Sequence, residues 1–149
     1  MDFLTSPWLF RYGHVLGAGL WVGGYALLAL IIIPLLAKEP NNTLRQVAIT
    51  SVQVLTYSGV ATIFFGILLI MRTRGFAAII QGGEWGGIII ICIIMAIALL
   101  GMGDSALRPA LQRLAETGDS RPARRLAWIG FILIILTIGF MTRALYATS

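Results

Sequence analysis

The sequence predicts an all-α integral membrane protein, a bundle of four transmembrane helices with both termini on the outer side. Three observations predict it. Of 149 residues, 58% are hydrophobic and only 11% are charged, whereas soluble domains run near a quarter charged. The mean hydropathy is +0.91. Four apolar stretches of the roughly 20 residues that a span needs nearly exhaust the chain, so residues 1–149 form a single membrane domain.

The spans fall at about residues 7–37, 46–71, 86–103 and 126–146. The first opens at Ser6-Pro7, an N-cap followed by proline at the first helical position, and Pro34 is expected to bend its last turns. Lys38-Glu39-Pro40-Asn41-Asn42-Thr43 reads as a turn. The second span stops at Arg72-Thr73-Arg74-Gly75, and Gly82-Gly83-Glu84-Trp85 marks the next interface. Residues 104–125 form a cytoplasmic amphipathic segment. With Leu107, Leu111 and Leu114 at helical spacing, it either lies on the membrane surface or continues span three. The N-terminus opens with Asp2, lacks a basic segment and feeds an apolar stretch too long for a signal sequence, so no cleavable signal peptide is expected.

The formal net charge of +5 would suit nucleic acid, but the basic residues sit at span ends and in loops. That is topogenic charge beside lipid head groups, and no nucleic-acid partner is expected. Loops one and three hold Lys38, Arg45, Arg108, Arg113, Arg121, Arg124 and Arg125. The opposite side holds Arg11, Arg72, Arg74 and Arg143. Seven against four places loops one and three in the cytoplasm of a cell whose inner membrane the chain crosses.

His14 is the only histidine, and it lies about 9 Å along the first helix from the interfacial Trp8. An ionisable side chain at that depth marks a functional site by default. Ala18, Trp21 and Tyr25 share its face, and Gly13, Gly17 and Gly24 run beside it, where a close helix or a flat ligand fits. A neutral imidazole in that setting suits an axial haem ligand or a copper ligand. Equally, it suits a hydrogen bond to a neighbouring helix or a lipid head group. Arg11 and Arg143 fall near the same level and would welcome haem propionates or anionic lipids. Met71 and Met141 lie there too, completing a soft Cu(I) set with His14. In span two, Gln53, Thr56 and Tyr57 suit interhelical hydrogen bonds, and Glu84 suits an ion pair with Arg72 or Arg74.

Other chemistry is poorly provided for. Cys92 is the one cysteine, so it forms no internal disulfide and supports no thiolate zinc site. No second histidine offers bis-histidine haem ligation within one chain, and no Ser/His/Asp set assembles. Carboxylates are missing from the middle of every span, which argues against a proton relay or an ion-coupled transporter.

The run Arg11-Tyr12-Gly13-His14-Val15-Leu16-Gly17-Ala18-Gly19-Leu20-Trp21-Val22-Gly23-Gly24 resembles the histidine-to-tryptophan signature of the copper resistance protein D family. Gly101-Met102-Gly103-Asp104-Ser105, leading to Leu107-Arg108-Pro109, echoes that family's close of a later helix. The resemblance implies a four-span layout and a membrane protein of redox or copper handling. A related family that oxidises protoporphyrinogen shares the layout and uses a first-helix histidine as haem ligand. By position that role falls on His14, with Trp21, Arg11 and Arg143 as cofactor neighbours. That relative also uses a lysine of a later helix, and spans two to four contain none, which argues against this enzymatic activity. The expected cofactor is therefore haem b or copper. Expected partners are the lipid bilayer and further membrane subunits, either copies of the chain or other proteins. A non-catalytic accessory subunit of a larger respiratory or photosynthetic complex is the alternative reading.

Overall fold

The first of the four long helices already contains the device that shapes the bundle. The computed structural model describes residues 7–39 and 41–147; the expected cap Ser6 and the turn residue Pro40 lie outside them. Helix α1 (Pro7–Leu27) passes through one π turn (Leu28–Ile32) into α2 (Ile33–Lys38). Ile33 donates its N–H to the Leu28 carbonyl, five residues back, one residue before Pro34. Proline offers no N–H and crowds the carbonyl four residues before it, and a widened turn relieves both problems. The bend expected at Pro34 thus takes the form of a π turn.

The same solution recurs in the third long helix. There α5 (Glu84–Met102) runs through a π turn (Gly103–Leu107) into α6 (Arg108–Thr117), where Arg108 bonds back to Gly103 one residue before Pro109. The segment after residue 103 therefore continues span three. Its leucine stripe faces the bundle: Leu107, Leu111 and Leu114 are buried in the main core, while Gln112, Arg113 and Glu116 stay exposed.

Between these elements lie α3 (Asn42–Arg72) and the short α4 (Gly75–Ile80), and α7 (Arg121–Ala144) closes the chain. Asn41 caps α3, its Oδ1 accepting the N–H groups of Thr43 at 2.7 Å and Leu44 at 3.2 Å. Gly118, at φ 69°, ends α6 in the left-handed region that glycine enters at no steric cost. The four long helices, Pro7–Lys38, Asn42–Arg72, Gly83–Leu114 and Arg121–Ala144, are each long and apolar enough to cross a membrane. Many of their large apolar side chains point outward, among them Val15, Leu20, Ile94 and Ile132, as a lipid-facing surface requires.

Two apolar clusters hold the bundle. The larger gathers Trp21, Tyr25, Leu28, Ile33, Leu55, Leu99, Leu107 and Leu111 towards the end where α2 gives way to α3 and α6 to α7. The smaller lies towards the end that carries the chain termini and comprises Ile70, Trp85, Ile88, Ile89, Cys92, Ala144 and Ala147. No residue of α1 belongs to the smaller cluster. Helix α1 packs chiefly on α3, and this pairing sets the position of His14.

Candidate functional site

His14 sits in the contact between α1 and α3. The approach is made by exchange of small residues. Phe65 of α3 covers Gly13, and Thr62 with the Ser58 carbonyl fills the space at Gly17. In the other direction Trp21 covers Gly59, and the imidazole of His14 lies over Gly66, 3.1 Å from where a Cβ would stand. The glycine stripe beside His14 thus receives a close helix, not a flat ligand.

The imidazole has one hydrogen bond of defined direction. Nδ1 lies 2.8 Å from the backbone carbonyl oxygen of Thr62. A carbonyl only accepts, so Nδ1 carries the proton, and in the neutral ring Nε2 keeps its lone pair. Two hydroxyls steady that stretch of α3: Thr62 donates to the Ser58 carbonyl at 2.7 Å and Ser58 to the Leu55 carbonyl at 3.0 Å. Thr62 and Ser58 escaped notice in the sequence because hydroxyls four residues apart in an apolar helix usually bond only to their own backbone, as these do. The group that orients the imidazole is the Thr62 carbonyl, which no residue type announces.

The other expected site residues are not gathered around His14. Arg11 is exposed, one turn towards the terminal end. Trp21 is buried, its indole covering Gly59. Arg143 is engaged with Glu84, Nε donating to Oε1 at 2.8 Å and Nη2 reaching the same oxygen. Glu84 thus pairs with Arg143 and not with Arg72 or Arg74. Arg74 instead stacks on the Trp85 ring at 5.1 Å and donates to the Ala147 carbonyl at 3.3 Å, tying the C-terminal segment down. Met71 is exposed. It follows Gly66 by five residues and Thr62 by nine, which at about 100° per residue turns it some 140–180° away from the face that meets His14. Met141 packs against the smaller cluster with Ala78 and Ile79. Among the described residues no group of three His, Cys, Asp or Glu side chains could hold a metal ion.

Gln53, Thr56 and Tyr57 make no interhelical bonds among the described residues. Thr56 donates to the Val52 carbonyl of its own helix at 3.1 Å, and Gln53 and Tyr57 point outward. A groove of about 520 Å³ between α1 and α3, floored by Gly19 and Gly23 and walled by Gln46 and Thr50, includes none of the expected site residues. Comparison with protein-family models, with curated proteins and with solved structures finds no match.

Proposed function

We propose that the chain is a multi-pass protein of the inner (cytoplasmic) membrane that binds haem b or a copper ion at His14 Nε2 near its outer face, in redox or copper handling. The observation that carries this reading is the Nδ1–H···O=C bond from His14 to Thr62. It fixes the tautomer and the ring orientation and leaves Nε2 as a ligand, the arrangement that metal-binding histidines use. The smaller apolar cluster includes no α1 residue, and His14 is half-buried.

Of the two cofactors, haem b fits the residues better. An axial haem site needs one nitrogen, which His14 supplies, and exposed Arg11 is a cation suited to a propionate. A soft copper site needs sulfur donors beside the imidazole, and Met71 and Met141 face elsewhere. Trp21 and Arg143 are committed to Gly59 and Glu84 and take no part in either site. Bound haem b would supply one-electron chemistry, and the chain would hold it by one imidazole.

The test is an absorption spectrum with metal analysis of the purified protein and of His14→Ala. A Soret band, or stoichiometric copper, that disappears in the variant supports the reading. A colourless and metal-free wild type sinks it. One observation favours a second reading, that of an accessory subunit of a larger respiratory or photosynthetic complex. The glycines around His14 are filled by α3, so the imidazole serves as a strut between two helices. Under that reading the protein purifies without cofactor and in stoichiometric association with larger membrane proteins.

A further inference from the structure

The outward face of α3 carries polar groups where lipid offers them nothing. Gln46, Thr50, Gln53 and Tyr57 follow at steps of four, three and four, so they form one seam along the helix. All four are exposed, Tyr57 by 75%. Among the described residues, neither the Gln53 amide nor the Tyr57 hydroxyl has a hydrogen-bond partner. Their depth follows from the helical rise: Gln53 stands about 12 Å beyond Arg45, and Tyr57 about 18 Å from Arg45 and about 22 Å from Arg72. Both therefore lie within the hydrocarbon layer, where acyl chains can neither donate nor accept. The seam continues towards Arg72 through Val60, Phe64 and Ile67 at the same spacing, all exposed.

We propose that this seam is a self-association surface, on which a second copy of the chain packs its own α3 in parallel about a two-fold axis along the membrane normal. The seam is its own complement. Across a two-fold axis each residue meets its equivalent, and a glutamine amide both donates and accepts, so Gln53 can bond Gln53 and Gln46 can bond Gln46. The seam carries no charge, so bringing two copies together sets no like charges against each other. The 3.5-residue spacing is that of helices crossing at about 20°, the commonest angle in membrane bundles. Gln53 and Tyr57 lie roughly half a turn in angle from Thr62 and Leu55, which hold α1, so association there leaves the α1–α3 contact intact, while Gln46 and Thr50 stand at the rim of the groove beside α1.

The proposal is independent of any cofactor at His14 and is tested in lipid with the full chain. In a Cys92→Ser background, Val60→Cys, on the seam but outside its polar contacts, is expected to give in native membranes an oxidant-induced band of twice the chain mass. Ile94→Cys, equally lipid-facing on α5, is expected to stay monomeric. In phosphatidylcholine vesicles, energy transfer between copies labelled at Asp119→Cys reports the association directly. Gln53→Leu with Tyr57→Phe is expected to raise the half-dissociation mole fraction at least tenfold, while Gln53→Asn keeps it within about threefold of wild type. The absence of a dimer band from Val60→Cys would overturn the proposal. So would an equal band from Ile94→Cys, an adduct whose mass shows a different protein, or energy transfer unchanged by the double substitution.

Discussion

The ring of Tyr25 in α1 occupies the space that a Cβ on Gly130 of α7 would fill, and its hydroxyl reaches past to the Leu99 carbonyl of α5 at 3.0 Å. One buried side chain thereby joins three of the four long helices near the π turn at Gly103–Leu107. A methyl group at residue 130 would meet the flat of the ring, and a fully buried tyrosine has nowhere to retreat. Gly130→Ala is therefore expected to destabilise the bundle by about 1–3 kcal/mol, the usual cost of overpacking. Gly139→Ala, on the same helix with nothing within 4 Å of its added methyl, is the control and should unfold like wild type. Detergent-titrated unfolding in mixed micelles measures both.

The hydroxyl can be removed without touching the packing. Tyr25→Phe keeps the ring over Gly130 and deletes only the bond to Leu99. Hydrogen bonds between membrane helices average about 0.6 kcal/mol, so the expected loss is about 0.5–1.5 kcal/mol. A loss as large as that of Gly130→Ala would mean that the hydroxyl, and not the ring contact, organises the junction.

The difference between these two contacts also marks how far the sequence could be read. Four spans were legible because each is a long apolar run, and the choice between a surface helix and a continued span at residues 104–117 was open because an amphipathic stripe serves either. Leu107 and Leu111 are wholly buried against the bundle, which decides it. His14 could be singled out because an imidazole in an apolar helix is costly. Its partner could not, since the Thr62 carbonyl belongs to the backbone and is identical at every residue. Arg143 and Glu84 were each visible as rim charges, but their pairing depends on how α5 and α7 meet, and periodicity within one helix carries no information about that. Gln53 and Tyr57 suit interhelical bonds by residue type, and their types do not say where the partner helix lies. Their outward direction follows from which face of α3 the glycines of α1 occupy.

The hydrogen bond that orients His14 gives a prediction that does not depend on any cofactor. His14→Phe retains a ring over Gly66 but leaves the Thr62 carbonyl without its side-chain donor. An expected loss of about 0.5–1.5 kcal/mol in the same unfolding assay measures that donor. Gly66→Ala should cost about as much with His14 in place, since its methyl would stand 3.1 Å from the imidazole Cε1 and Nδ1. In the His14→Ala background that cost should vanish, and a double-mutant cycle reads the difference as the contact between the two residues.

At the rim of the bundle, Arg143 and Glu84 are 59% and 40% exposed, so water and salt screen their attraction. Glu84→Gln and Arg143→Ala are each expected to change stability by less than about 1 kcal/mol, with a coupling of about 0.2–1 kcal/mol that shrinks as salt is raised. Because Glu84 already holds the guanidinium, Arg143→Ala is expected to leave any Soret band of the purified protein unchanged, while Arg11→Ala weakens haem retention. The reverse pattern would mean that Arg143 leaves Glu84 to meet a propionate.

The distribution of basic residues makes a prediction about direction across the membrane. Arg108, Arg113, Arg121, Arg124 and Arg125 flank the link between α6 and α7, and Arg72 and Arg74 with Arg143 stand at the other end of the helices. On the charge bias, the arginine-rich end is expected in the cytoplasm. In a Cys92→Ser background, a membrane-impermeant maleimide added to intact cells should label Gln81→Cys, in the exposed link between α4 and α5, and should spare Asp119→Cys until the membrane is opened. The opposite pattern would put His14 on the cytoplasmic side. It would also give any haem or copper held there a cytoplasmic electron partner, so the labelling fixes which compartment the His14 site serves.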